Sequence, residues 1–339
     1  MEKKYPLIAA LALAYFVHAE DVVPPPPIPP QSVIEKQLQD AEKEFKEAKE
    51  MFNPWYAGPL LTPSAHILPP GLINAQPYFF YTNTFARYDK HGKSHDLPHH
   101  LITMNPSVGA LIGILDWMEA SFSAQYVHNK QDGHKGSGWG DTSASLGFGL
   151  HKETPYFPAM LFGIKEVFPT GRYQHLHASN AGLDGIGAGS FQTVFSYNIS
   201  KVVWWVTKHP MNLRLSLNYG IPSNVKVKGL NSYGGTKNTK GTVNLGNNFT
   251  ADFGYEYSFT QRWVLACDVV YTYTAKRSFS GRTGGAILRG PFNDQLSLAP
   301  ALEYNPNANL GLLLGTWFTV WGRNSPDFIS GVASFTYTF

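Results

Sequence analysis

Eight ionisable residues sit on the polar side of stretches in which polar and apolar side chains alternate: Glu119, Asp141, Lys165, Arg214, Asp252, Glu256, Asp268 and Glu303. Successive side chains of a strand point to opposite faces, so alternation gathers these groups on one wet surface. Six are acids and two are bases. That balance favours cations or neutral polar solutes over anions in a water-filled interior. The same groups could instead pair among themselves, Lys165 and Arg214 serving as partners for the carboxylates, and close a narrow interior. The residues alone leave both readings open.

Other chemistry finds little support. His91, His95, His99 and His100 share one predicted loop, and His175 and His177 another. Their spacing suits a metal, but no cysteine or acidic pattern completes a site, so solvated loop histidines are expected and no metal or cofactor. Cys267 is the only cysteine, which excludes an intramolecular disulfide and reads as a small apolar filler. The run from Gly133 to Gly140 is glycine-rich but no helix follows it, as a phosphate loop would require. No nucleophile elbow occurs. The chain does not read as an enzyme.

The elements that must position the eight residues are strands. Of 339 residues only 15% are charged, whereas 14% are aromatic, and the mean hydropathy is −0.20. A soluble enzyme carries about a quarter charged residues, and a membrane-helix protein is far more apolar. Alternation of lipid-facing and lumen-facing residues produces this composition. A net charge of +3, scattered along the chain, gives no support to a nucleic-acid partner.

Period two is clearest from Val243 to Phe259, where the odd positions are almost wholly apolar and the even positions polar or glycine. This reads as one spanning strand. Segmenting the chain in the same way predicts an antiparallel transmembrane β-barrel of about twelve strands over residues 72–339, an even number as such barrels have. Gaps between strands run alternately long and short, the long ones including Asp89 to His100, Pro169 to Ile186, Ile221 to Thr242 and Ala275 to Phe292. Short periplasmic turns and longer external loops have this alternation. Trp317, Trp321, Trp263 and Phe259 fall near predicted strand ends, as interface aromatics do. A β-sandwich is disfavoured, because its strands run only about five to six residues.

The N-terminal part differs. Lys3 and Lys4 precede an apolar stretch from Pro6 to Val17, with small residues near Ala19, which reads as a signal peptide over 1–19. The apolar stretch is too short for the ~20 residues a spanning helix needs. A proline-rich spacer follows at 20–31. Residues 32–52 form an amphipathic, coiled-coil-like helix, capped by Ser32 and Glu35, with Ile34, Leu38, Phe45 and Phe52 along one stripe. It is expected to lie in the periplasm and to offer a weak route to a homo-oligomer; threading the lumen as a plug and lying free are the competing fates. Residues 53–71 read as a proline-rich linker that carries the helix away from the barrel.

The chain ends on an alternating strand whose apolar face includes Phe335, Tyr337 and the terminal Phe339. It resembles the closing strand of bacterial outer-membrane barrels, in which the terminal aromatic is read by the assembly machinery. The resemblance implies a Gram-negative outer membrane, its lipid and that machinery as partners. Gly138-Trp139-Gly140-Asp141 with TSASLGFGL, and LSLAPALEYNPNANLGLLLGTWFTVWGRNS running into SFTYTF, resemble the meta-pathway phenol-degradation family of outer-membrane transporters. That likeness spans roughly residues 72–339 and implies passive passage of small solutes, aromatic ones among them. The alternative is a closed structural or surface-interaction barrel that works through its loops or its helix.

Overall fold

The computed structural model describes residues 30–51, 54–204 and 209–339. The expected signal peptide and the spacer as far as Pro29 lie outside the described residues.

Helix α1 spans Gln31–Met51, and the first of the chain's two compact units ends within it, at Lys46. The helix starts one residue before the predicted segment 32–52, with Pro30 and not Ser32 ahead of its first helical residue. Proline lacks an N–H but keeps its carbonyl, and the Pro30 carbonyl accepts from Val33 N at 2.9 Å and Ile34 N at 3.2 Å. Leu38 and Phe45 on its apolar stripe are exposed.

The remainder is all β: β1 (Ile73–Tyr88), β2 (Ser94–Leu115), β3 (Met118–Gln131), β4 (His134–Trp139), β5 (Thr142–His151), β6 (Ala159–Phe168), β7 (Gln192–Val203) and β8 (Met211–Pro222). Then come β9 (Val225–Lys228), β10 (Lys240–Asn244), β11 (Asn248–Ser258), β12 (Trp263–Thr274), β13 (Ser278–Arg282), β14 (Asn293–Asn307), β15 (Leu310–Arg323) and β16 (Pro326–Thr338). Twelve of them make a closed antiparallel barrel. Each barrel strand pairs with the next, and β1 closes the ring on β16 with Asn74 opposite Thr338 and Tyr81 opposite Gly331. Closure removes the unpaired edges that lipid would not tolerate. Strand β4 is the exception: it folds back on the upper half of β3 through a turn at Asp132-Gly133, while β5 pairs with the lower half.

Along β12, Trp263, Leu265, Val269 and Tyr273 are exposed, and Val264, Ala266 and Asp268 are fully buried. An apolar outer surface around an interior that buries acids is the pattern of a protein solvated by lipid. One end of the barrel carries short turns and both ends of the barrel chain; Ile73 N and Phe339 N each donate to the other's carbonyl at 2.9 Å. The other end carries the long loops.

Three sequence expectations change here. Val243–Phe259 is not one strand. Residues 240–244 leave the barrel and pair with β9 and β13 in a separate three-stranded sheet, and the wall strand begins only at Asn248. Val243, expected to face lipid, is buried with Val225, Val227, Phe279 and Leu288 in a small core at the loop end. The predicted loop from Asp89 to His100 is mostly strand, because β2 begins at Ser94. Trp317 is no interface aromatic: its indole Nε1 donates to Ser297 Oγ at 2.8 Å, and it packs inward against Phe80 and Phe328. In each case pairing partners far away in sequence set the boundary of the strand or the side its residue faces.

Candidate functional site

The stretch expected to be a linker lies inside the barrel. Pro54, Pro59, Pro63, Pro69 and Pro70 interrupt any helix or ladder, so the backbone N–H groups between them must find acceptors elsewhere. The wall supplies them. Ala57 N donates to Glu303 Oε2 on β14 at 3.0 Å, and Leu68 N to Glu119 Oε2 on β3 at 3.0 Å. Between these, Leu61 N and Thr62 N donate to the two oxygens of Asp268 on β12 at 3.1 and 3.0 Å. The Thr62 hydroxyl lies 2.6 Å from Asp252 Oδ1 on β11 and 2.5 Å from Asp268 Oδ1. Ala65 N donates to Ser200 Oγ on β7 at 2.9 Å.

These bonds trace a path. Trp55 N is held by the Gln261 carbonyl and the Trp55 carbonyl by Asn305 Nδ2, both beside short turns. The chain then rises to Leu61 and Thr62, level with the middle of β12, and returns to the turn end where Gly71 N meets the Gly113 carbonyl at 2.9 Å. The result is an inserted loop that lies in the turn-end half of the lumen.

Apolar contacts add to the hydrogen bonds. Leu60, 2% exposed, packs on the lumen-facing Ala266, Ala299, Ala301, Leu313 and Val332, with Tyr78, Phe80 and Trp317 at its side. Burying such a side chain contributes about 1.5–3 kcal/mol. Ala65 and Ile67 pack on Ala159 and Leu161. The lumen was expected to be mostly polar; it contains an apolar seat instead. Glycines make room at the tightest approaches. A Cβ at Gly113 would lie 2.1 Å from the Pro69 carbonyl oxygen, and one at Gly254 2.7 Å from both Pro59 Cγ and Thr62 Oγ1.

The eight ionisable residues divide by place. Glu119, Asp252, Asp268 and Glu303 grip the inserted loop. Glu256 is fully buried beside it, paired with Arg214 (Nε to Oε2, 2.9 Å) and accepting from Asn212 Nδ2 at 2.7 Å. Buried charges survive only when paired or hydrogen-bonded; each of these six has at least one such partner on the wall or the loop, while Glu256 Oε1 and Glu303 Oε1 have none among the described residues. Asp141 lies apart at the loop end, where its two oxygens accept from Gly171 N at 2.9 Å and Ala188 N at 2.7 Å. Lys165 was expected to serve as a partner for an acid; no ion pair to it occurs among the described residues, and its neighbours across the ladder are Ser145 and Val194. Among the loop histidines, His95 meets Asp89 at 3.1 Å and His99 meets Asp132 at 3.3 Å.

The barrel is similar to the crystal structure of the COG4313 outer-membrane channel from Pseudomonas putida F1, with a TM-score of 0.64 and 14% identity over 82% of this chain and all of that one. The chain has the fold of an outer-membrane channel. More distant solved structures include the NanC porin, at TM-score 0.45 and 10% identity over 78% of this chain and 98% of that one. A deletion mutant of the TodX monoaromatic hydrocarbon channel has TM-score 0.42 and 12% identity over 85% of this chain and 96% of that one. No protein-family model matches the chain, and no curated protein matches it in sequence.

Sequence reasoning placed the wall acids but missed their ligand. One signal was available: a proline-rich stretch with Leu60, Leu61, Ile67 and Leu68 is too apolar for a solvated linker.

Proposed function

We propose that this protein is a gated passive channel for small solutes in the outer membrane of a Gram-negative-type bacterium, with the turn end and the N-terminal segment in the periplasm. One observation carries the reading. Residues 57–68 are bound through backbone N–H groups to carboxylates on three separate wall strands, β3, β12 and β14, and not through a covalent or fully apolar plug. Water can replace every one of those bonds, so the loop can leave without breaking a packed core larger than the Leu60 seat. Displacement would open the turn end and expose an acidic wall.

The likeness to the phenol-degradation family supports aromatic solutes, and the lumen-facing Tyr78, Phe80, Trp317 and Phe328 offer ring faces for them. The chain's role would then be passage, with no catalysis. Planar-bilayer recording of the refolded protein tests the gate: the full chain should be mostly closed with brief openings, and a chain lacking residues 54–68 should conduct steadily. A deletion variant that folds and stays silent would favour the closed structural barrel.

A further inference from the structure

The loop end holds a second set of charges, opposite in sign to the wall acids. A pocket of about 420 Å³ opens there, bounded by strand ends of β1, β7, β8, β11, β12 and β14 and by the loops above them. Its lining includes Arg87, Arg277 and Arg289 and no aspartate or glutamate. Asn248, Asn293 and Gln192 add neutral hydrogen-bonding groups, and Leu245, Pro222 and Pro291 an apolar flank.

The arginines are positioned by the fold. Half-buried Arg277 pairs through its backbone with Gly290, at 2.9 and 3.1 Å. Its Nε donates to the Leu288 carbonyl at 2.8 Å, and its guanidinium lies over the Tyr233 ring, 5.2 Å from the centroid. This leaves the terminal guanidinium nitrogens for a ligand. Tyr233 is itself fixed, its hydroxyl donating to the Ala188 carbonyl. Arg87 is tethered through Nη2 to the Asn324 carbonyl at 2.8 Å. Arg289 is exposed and makes no hydrogen bond or ion pair among the described residues. Burial disfavours the charged form of Arg277, Tyr233 partly opposes this effect, and the nearby charge of Arg87 adds to it. An anion between the two guanidiniums would relieve that repulsion.

We propose that this vestibule binds a small organic anion, a carboxylate on an apolar body, through the guanidiniums of Arg87, Arg277 and Arg289. Planar, forked guanidinium donors match a carboxylate in two-pronged fashion, and the leucine and proline flank suits the body of such a molecule. The acidic wall disfavours the same anion deeper in the lumen, so the vestibule acts as a receiving site. Binding is read without conduction, and the site therefore stands or falls apart from the gate.

Isothermal titration of the full-length refolded barrel in neutral detergent tests it, with benzoate as the probe and benzamide as its uncharged isostere. Benzoate should bind saturably and benzamide at least tenfold more weakly. R289Q, whose side chain supports nothing else, should weaken benzoate about tenfold while heat-modifiable gel migration stays unchanged. R277K keeps the charge but loses the fork and should weaken it as well. Absence of saturable benzoate binding, equal binding of benzamide, or an unaltered R289Q isotherm would overturn the proposal. Tighter binding of inorganic phosphate than of benzoate would overturn the assignment to an organic carboxylate.

Discussion

Asp268 is the residue whose loss should most directly free the inserted loop. In the closed barrel it accepts from two backbone N–H groups, those of Leu61 and Thr62, and touches the Thr62 hydroxyl. D268A removes the acceptor for both amides, while the hydroxyl keeps Asp252. Hydrogen bonds to a charged group contribute about 1.5–3 kcal/mol each, so the gross loss is roughly 3–6 kcal/mol. Part is returned, because the variant no longer holds a buried carboxylate away from water. Discounting the gross loss by about half leaves about 1.5–3 kcal/mol in favour of the displaced loop. At 1.4 kcal/mol per tenfold, the ratio of open to closed barrels should rise about 10- to 140-fold. Single-channel recording reads this as open probability at fixed voltage. D141A provides the control, since Asp141 ties loop residues Gly171 and Ala188 at the opposite end; its open probability should match the parent's. If D268A migrates as a folded barrel and opens no more often than D141A, the latch reasoning is wrong.

Gly113→Val should act at the exit of the inserted loop, because its side chain would meet the Pro69 and Leu68 carbonyls; increased conductance with normal barrel folding is the expected result, and unchanged closure would contradict the fit. Deleting Phe339, or F339S, should reduce assembly into the membrane without affecting export, since Phe339 bonds to Ile73 at the closing seam and stacks on Tyr337 with centroids 5.9 Å apart; undiminished heat-modifiable migration of F339S would count against this. A tag inserted at Gly234-Gly235 should be reachable on intact cells and one at Asn305-Pro306 should not; the reverse labelling would invert the proposed orientation.

What the chain alone determined is its periodicity. Trp263, Leu265, Val269 and Tyr273 must share a face because a strand places every second side chain on one side, and no packing choice can alter that. Period two therefore determined the all-β class and the shared polar face of Asp252, Glu256 and Asp268. Helix α1 was visible for the same reason, its stripe being a local property of 3.6 residues per turn. Tertiary structure decided everything that depends on which groups meet across large separations. Val243 continues the alternation of β11 without a break, yet it belongs to another sheet, because its partners Val225 and Phe279 lie beyond two loops. The linker became a plug for a similar reason. Its prolines leave amides unpaired, a fact written in the sequence, but the acceptors are Glu119, Asp268 and Glu303, 51 to 246 residues away. Only closing the barrel brings those carboxylates around one lumen, where an unpaired amide and an unpaired acid each remove the other's cost of burial.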